Sequence, residues 1–292
     1  MKGSRLVALG LSIAALSPLA LAGWLGAELQ RRHLGRPARV RRTLRELGIP
    51  ARGHIACRRL GQGAMNAVFL VEIGGSAAGG GKRIVLKHTL RFGTLLGWVA
   101  REVGAMREYP RDLRRNERFI REVRALHALA AAGVPVPHCL AASDRSHAMA
   151  LEWIDGPALA FELGKRPELA ADFGALLARM HAEGVAMGDA NPRNVAVNAR
   201  GLVPFDLEVS HARATEREKG FDLAWAAAFL PDDAARATFF AGYGPRSQAL
   251  DAAIDNARTH LAGFWPLVDI AAKRWRRDDT GRTFASLTGR IV

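Results

Sequence analysis

The chain has 292 residues, 49% of them hydrophobic, with 30 Gly, 13 Pro and a mean hydropathy of -0.01. This is the profile of a folded globular protein and excludes disordered and collagen-like classes. Only Cys57 and Cys139 are present, with no CxxC or Cys/His cluster, so a zinc-finger signature and a disulfide framework are excluded too. The formal charge is +14, from 42 basic and 28 acidic residues, and half of that excess lies in the first fifty residues.

Leu6 to Ala27 form a run of 22 residues without a charge. At ~1.5 Å per residue that is long enough to cross a hydrocarbon core. Lys2 and Arg5 before the run and Ala20-Leu21-Ala22 near its end also fit a cleavable signal peptide. The seven arginines from Arg31 to Arg45 favour a retained single-pass anchor in the inner membrane with the body in the cytoplasm, since basic flanks stay on that side. The same arginines are expected to meet anionic membrane lipid rather than nucleic acid. Residues 1–50 are accordingly read as anchor and basic juxtamembrane segment.

From residue 51 onward the pattern is strands first and helices after, which predicts an α+β protein of two lobes, 51–154 and 155–292. Ile55 to Leu60, Ala67 to Ile73 and Arg83 to His88 are β-favouring runs separated by glycine, as in an antiparallel meander. Arg91 to Arg115 reads as an insertion or surface helix. Phe119, Val123, Leu126 and Leu129 share one helical face, which Gly133 and the following Val-Pro-Val-Pro terminate. Two more strands are expected over 138–142 and 147–154. Leu169, Phe173, Leu176, Leu177 and Met180 then form a helical stripe, and Phe221 to Leu230 and Leu250 to Trp275 are further helix candidates.

Five pieces of this chain carry chemistry in a fixed order. Gly61 and Gly63, in Leu60-Gly-Gln-Gly-Ala-Met-Asn66, lie between two strands, where glycine frees backbone amides to cradle phosphate. Lys87 ends an apolar strand, a costly position for an inward ammonium without an anionic partner, and Glu122 on the next helix can supply one. Then comes Gly188-Asp189-Ala190-Asn191-Pro192-Arg193-Asn194, and twelve residues after Asn194 stands Asp206. An Asp, an Asn five positions later and an Asp closing a second short strand bring a base and hard oxygen ligands to one point, as Mg-assisted phosphoryl transfer requires.

In order and spacing these pieces resemble the protein-kinase-like superfamily over residues 55 to about 230. The resemblance implies a two-lobed kinase-like fold that uses ATP and Mg2+. Gly61 and Gly63 would form the phosphate loop, Lys87 would hold the α/β-phosphates, and Glu122 would pair with it. Glu152 to Ile154 would be the hinge beside adenine, Asp189 the catalytic base, and Asn194 and Asp206 the metal ligands. Asp222 looks like the structural aspartate of the helix beneath the catalytic loop.

Departures from the pattern refine it. Asn66 replaces the third loop glycine, Met187 stands where a His is usual, and Leu207-Glu208 replaces Phe-Gly. Glu208 and the Phe221-Asp222-Leu223-Ala224 run are similar to choline kinases and aminoglycoside phosphotransferases. With 15 residues between Asp206 and Asp222 there is no room for an ordinary protein-kinase activation segment. The short stretch from Glu152 to Asp189 is closer to RIO, KEOPS-type and lipopolysaccharide Kdo or heptose kinases. The implied activity is phosphoryl transfer to a hydroxyl of a small molecule or a lipid-linked or lipopolysaccharide sugar. A RIO-type protein kinase or ATPase and a nucleotide-binding pseudokinase scaffold are the rivals.

Overall fold

The computed structural model describes residues 18, 21–60, 65–74, 81–92 and 112–262. The glycines at 61 and 63, most of the Arg91–Arg115 stretch and the end of the Leu250–Trp275 helix candidate lie outside these residues. The described chain forms two compact units, the first from residues up to 120 together with 139–153, the second from 121–138 together with 154 onward.

The first unit is built on a five-stranded antiparallel sheet of β1 (Ile55–Leu60), β2 (Asn66–Ile73), β3 (Lys82–Thr89), β4 (Cys139–Ser143) and β5 (Ala148–Glu152). Its strand order is β1-β2-β3-β5-β4. The β1-β2-β3 meander follows the expected runs closely, with Val68 opposite Lys87 and Phe69 opposite Leu86. Alternation of β-branched and aromatic residues puts Phe69, Val71, Ile73, Ile84 and Leu86 on buried positions.

Two helices close this core, α1 over residues 21–34 and α2 (Pro37–Glu46). Ala27, Leu34, Val40, Leu44 and Leu47 pack in one cluster with the sheet residues. The boundary expected at residue 50 is therefore corrected, because residues read as anchor and basic flank supply part of the first unit's core. The arginines between them obscured an i, i+4 spacing of small and branched apolar residues. Arg31 is itself buried, donating from Nε to the Asn66 carbonyl at 3.1 Å, and Glu28 accepts from Arg59 at 3.1 Å. Of the expected membrane-spanning run, residues 6–17, 19 and 20 lie outside the described residues. Among the described residues no helix is long and apolar enough to cross a membrane.

Helix α3 (Arg115–Ala131) follows, and the division between units falls within it, after Ile120. The residues after that point were expected in the first lobe and belong to the second unit. At the start of α3, buried Arg118 donates to the carbonyls of Leu113, Met65 and Leu90, which fixes the chain on the C-terminal side of the glycine loop.

The second unit is mainly helical: α4 (Leu159–Glu162), α5 (Leu169–Ala182), α6 (Glu216–Ala228), α7 (Asp233–Tyr243) and α8 (Gln248–Ala262). Two small ladders join them, β6 (Val185–Ala186) with β9 (His211–Ala212), and the hairpin of β7 (Val195–Asn198) with β8 (Gly201–Pro204). The stripe Leu169, Phe173, Leu176, Leu177 and Met180 is the buried face of α5, as its spacing predicts. Helix α7 was not foreseen, although Asp232 caps it by accepting from the Ala235 amide at 2.8 Å. Gly174 and Gly242 let α5 and α7 approach closely, since a Cβ on Gly174 would stand 2.0 Å from the Phe239 carbonyl oxygen.

Candidate functional site

The residues expected to carry the chemistry fall into both units. In the first, Lys87 is buried in β3, registering with Val68 and Met149. Glu152 is half-buried at the end of β5 opposite Ile84, and one residue later, between Trp153 and Ile154, the chain leaves this unit. The expected hinge residues thus coincide with that passage. Glu122 lies on the part of α3 assigned to the second unit and is buried.

The second unit gathers Asp189, Asn194 and Asp206 around one loop. The loop from Met187 to Asn191 leaves β6 and enters a 3-10 turn at Pro192–Asn194, with Asn191 capping the turn by accepting from the Arg193 amide. Pro192 suits the first position of such a turn because its missing N–H would be unpaired there. Gly188 has φ +77°, and a Cβ on it would lie 2.2 Å from the Val209 carbonyl oxygen, so only glycine fits.

Asp222 on α6 holds this loop from beneath. Fully buried, it accepts from the Gly188 amide at 2.8 Å with one oxygen and from the Met187 amide with the other. His181 at the end of α5 adds a third bond through Nε2 at 3.2 Å, and its Nδ1 meets the Tyr243 hydroxyl at 3.0 Å. His181 is buried at this helix end, and its ring orients Asp222.

Asp189 is held at both oxygens. Trp225 Nε1 donates to Oδ1 at 2.8 Å, and Asn194 Nδ2 donates to Oδ2 at 3.1 Å and to the Asp189 carbonyl at 3.2 Å. The Phe205 amide in turn donates to the Asn194 carbonyl at 2.8 Å, tying the end of the β7-β8 hairpin to the loop. Asp206 follows in the left-handed region with φ +62°. The Asp189 carboxyl is pushed up to about 6, chiefly by burial and further by the charges of Asp206 and Asp222, while the bonds from Trp225 and Asn194 pull it down. A carboxyl placed this way can accept a proton near neutral pH.

Sequence reasoning missed Trp225. It sits one helical turn after Asp222, stacked on Phe221 at 5.9 Å between ring centroids and edge-on to Phe229 at 5.0 Å. The i, i+4, i+8 spacing of these aromatics marks one face of α6, and Asp222 lies next to that face. Among the described residues no group of three or more His, Cys, Asp or Glu side chains is placed to hold a metal ion.

Residues 56–200 match the model of the phosphotransferase enzyme family, which spans the strands of the first unit and the loop carrying Asp189 and Asn194. No curated protein matches the chain. Among solved structures, the Rio2 kinase of Chaetomium thermophilum in an ADP/Mg2+-phosphoaspartate complex is 17% identical to it, with a TM-score of 0.46, over 77% of this chain and 74% of that one. Over residues 56–200, just under half of its length, this chain is similar to the phosphotransferase enzyme family.

Proposed function

We propose that the protein transfers the terminal phosphoryl group of ATP to a hydroxyl of a small molecule or, in keeping with its N-terminus, of a lipid-linked or lipopolysaccharide sugar at the cytoplasmic face of the inner membrane. The observation that carries this reading is the Asp189 carboxylate, fixed at both oxygens and raised to about 6. The acceptor hydroxyl gives its proton to Asp189 as its oxygen bonds to the terminal phosphorus, the bond to ADP breaks, and ADP leaves with the electron pair. Most of the acceleration comes from holding the reactants in line.

The residues suit a hard dication. Asn194 turns its NH2 end to Asp189, which leaves its carbonyl end for a cation, and Asp206 adds a carboxylate. Mg2+ is bound by one or two such ligands together with phosphate oxygens and water, so Asn194 and Asp206 are an adequate set. When bound, the ion neutralises charge on the phosphates. Gly61, Gly63 and Lys87 are assigned to the ATP phosphates, Glu122 to Lys87, and Glu152 and Ile154 to the adenine side. The membrane location rests on the apolar run at 6–27 and its basic flank.

Purified full-length protein should move label from the terminal phosphate of ATP into a product of a membrane-lipid or sugar extract, in the presence of Mg2+. Asp189→Asn should abolish that transfer. Absence of both Mg-ATP binding and turnover in the wild type would overturn the reading in favour of a pseudokinase scaffold.

A further inference from the structure

Helix α1 has its apolar residues on the wrong face for a helix packed on a water-soluble body. The inward positions are Gly23, Ala27, Arg31 and Leu34, three of them small or charged. The outward positions are Leu21, Trp24, Leu25 and Leu29, between 48% and 68% exposed. A surface helix ordinarily shows the reverse, with large apolar groups buried and polar ones outside.

The feature is concentrated as well as inverted. Of the six large apolar side chains exposed among the described residues, four belong to this helix and a fifth, Phe92, lies against it. Its ring covers Gly26, where a Cβ would stand 2.6 Å from Cδ1. Scattered exposed leucines are common on soluble proteins, but a contiguous stripe with a tryptophan marks a surface that something covers.

We infer that this outer face of α1 docks on the lipid bilayer interface and seats the first unit directly on the membrane. Two observations select lipid as the occupant. The stripe continues, in sequence, the uncharged run that begins at Leu6 and extends to Ala27. Exposed Arg32, Arg36, Arg42 and Arg45 follow the stripe, and such a pairing of apolar and arginine groups is what an anionic bilayer surface binds.

The helix cannot swing freely while so docked. Arg31 is bonded to the Asn66 backbone, Glu28 is paired with Arg59 on β1, and Ala27 and Leu34 belong to the core cluster. Membrane contact at the outer face is therefore transmitted rigidly to the sheet. This also revises which arginines meet lipid, because Arg31 faces inward and the exposed four do not.

The inference rests on the membrane location proposed above, and the test separates the two. Full-length protein carrying Leu29→Cys, with Cys57→Ser and Cys139→Ala, is labelled with an environment-sensitive dye and reconstituted into vesicles of phosphatidylcholine and phosphatidylglycerol. A second preparation carries the dye at Asp144→Cys, exposed in the turn before β5, next to the edge strand β4. Leu29 and Asp144 are both exposed, so neither labelling change empties the core, and the two half-buried cysteine replacements are common to both preparations.

Nitroxide lipids labelled near the headgroup should quench the dye at 29 several-fold more strongly than the dye at 144, together with a blue-shifted emission. Equal, weak quenching at both positions in protein that still floats with the vesicles would overturn the docking and leave the anchor intact. Protein that fails to float would remove the membrane location and the docking together. Protection of the dye at 29 in lipid-free solution, accompanied by a doubled mass, would show a second copy on the face and overturn the assignment to lipid.

Discussion

The indole N–H of Trp225 points at the outer oxygen of Asp189, 2.8 Å away, from a ring clasped between Phe221 and Phe229. A flexible side chain would hold a carboxylate less well, because it would lose rotamer entropy on making the bond. Here the aromatic neighbours have already fixed the donor. In the proposed reaction Trp225 is in this sense a positioning residue, which acts only through Asp189.

Removing that donor has a sign that can be worked out. The Trp225 bond stabilises the ionised form of Asp189, so Trp225→Phe should raise its pKa above about 6, whereas Asp206→Asn should lower it by removing a nearby negative charge. Carboxyl-carbon NMR titration of the nucleotide-free, metal-free protein would resolve the two directions. In the same variant, phosphoryl transfer should fall at neutral pH and recover as pH is raised. A merely structural role for Trp225 would give a loss that pH does not repair.

Asp189→Asn and Asp206→Asn should fail differently. The first keeps the side-chain shape beside Asn194 but cannot take a proton, and turnover should drop by ~10²-fold or more with nucleotide binding retained. The second removes a negative ligand and should weaken Mg-dependent nucleotide binding. Isothermal titration with Mg-ATP, beside single-turnover rates, separates these outcomes.

Asp222→Ala should be among the most damaging changes in the second unit. It leaves the buried amides of Met187 and Gly188 without their acceptor, each at about 1–3 kcal/mol. Thermal unfolding should show a loss of several kcal/mol. Asp222→Asn should lose less, since its carbonyl oxygen still accepts one of the two bonds.

His88 makes the first unit sensitive to acid. It is buried edge-on to Phe69 with no hydrogen bond to either ring nitrogen, and burial, helped by Arg115 and Arg39, pushes it down to about 3 from 6.5. Between those values the unfolded chain binds a proton that the folded chain refuses. Its contribution to stability is therefore whole above pH 6.5 and is lost as pH falls toward 3. Chemical denaturation at about pH 7.5 and about pH 5.5 should show a steeper loss in the wild type than in His88→Leu.

Much of this was legible beforehand because strands of alternating residues bounded by glycine announce themselves. The meander, the α5 stripe and the Asp189, Asn194, Asp206 spacing all lie within short sequence windows. What escaped detection depends on contacts across long separations. Trp225 meets Asp189 across 36 positions, and Arg118 binds Met65 across 53, and no local pattern encodes either. Residues 27–47 were misassigned for another reason, since a high arginine content masks an apolar face when the arginines occupy the remaining positions.

The contact between Tyr243, His181 and Asp222 also fixes the direction of two hydrogen bonds. An ionised carboxylate only accepts, so in the neutral ring the proton must sit on Nε2, facing Asp222. Nδ1 is then a bare lone pair, and Tyr243 must be the donor. Burial raises the Tyr243 hydroxyl to about 12, which keeps that proton in place. The aspartate under the loop thus chooses the tautomer of a ring on α5, and the last residue of α7 answers with its hydroxyl proton and braces that ring. Exchange of any one of the three for a side chain of opposite hydrogen-bonding sense obliges the other two to change with it, so related chains should vary at 181, 222 and 243 as a set.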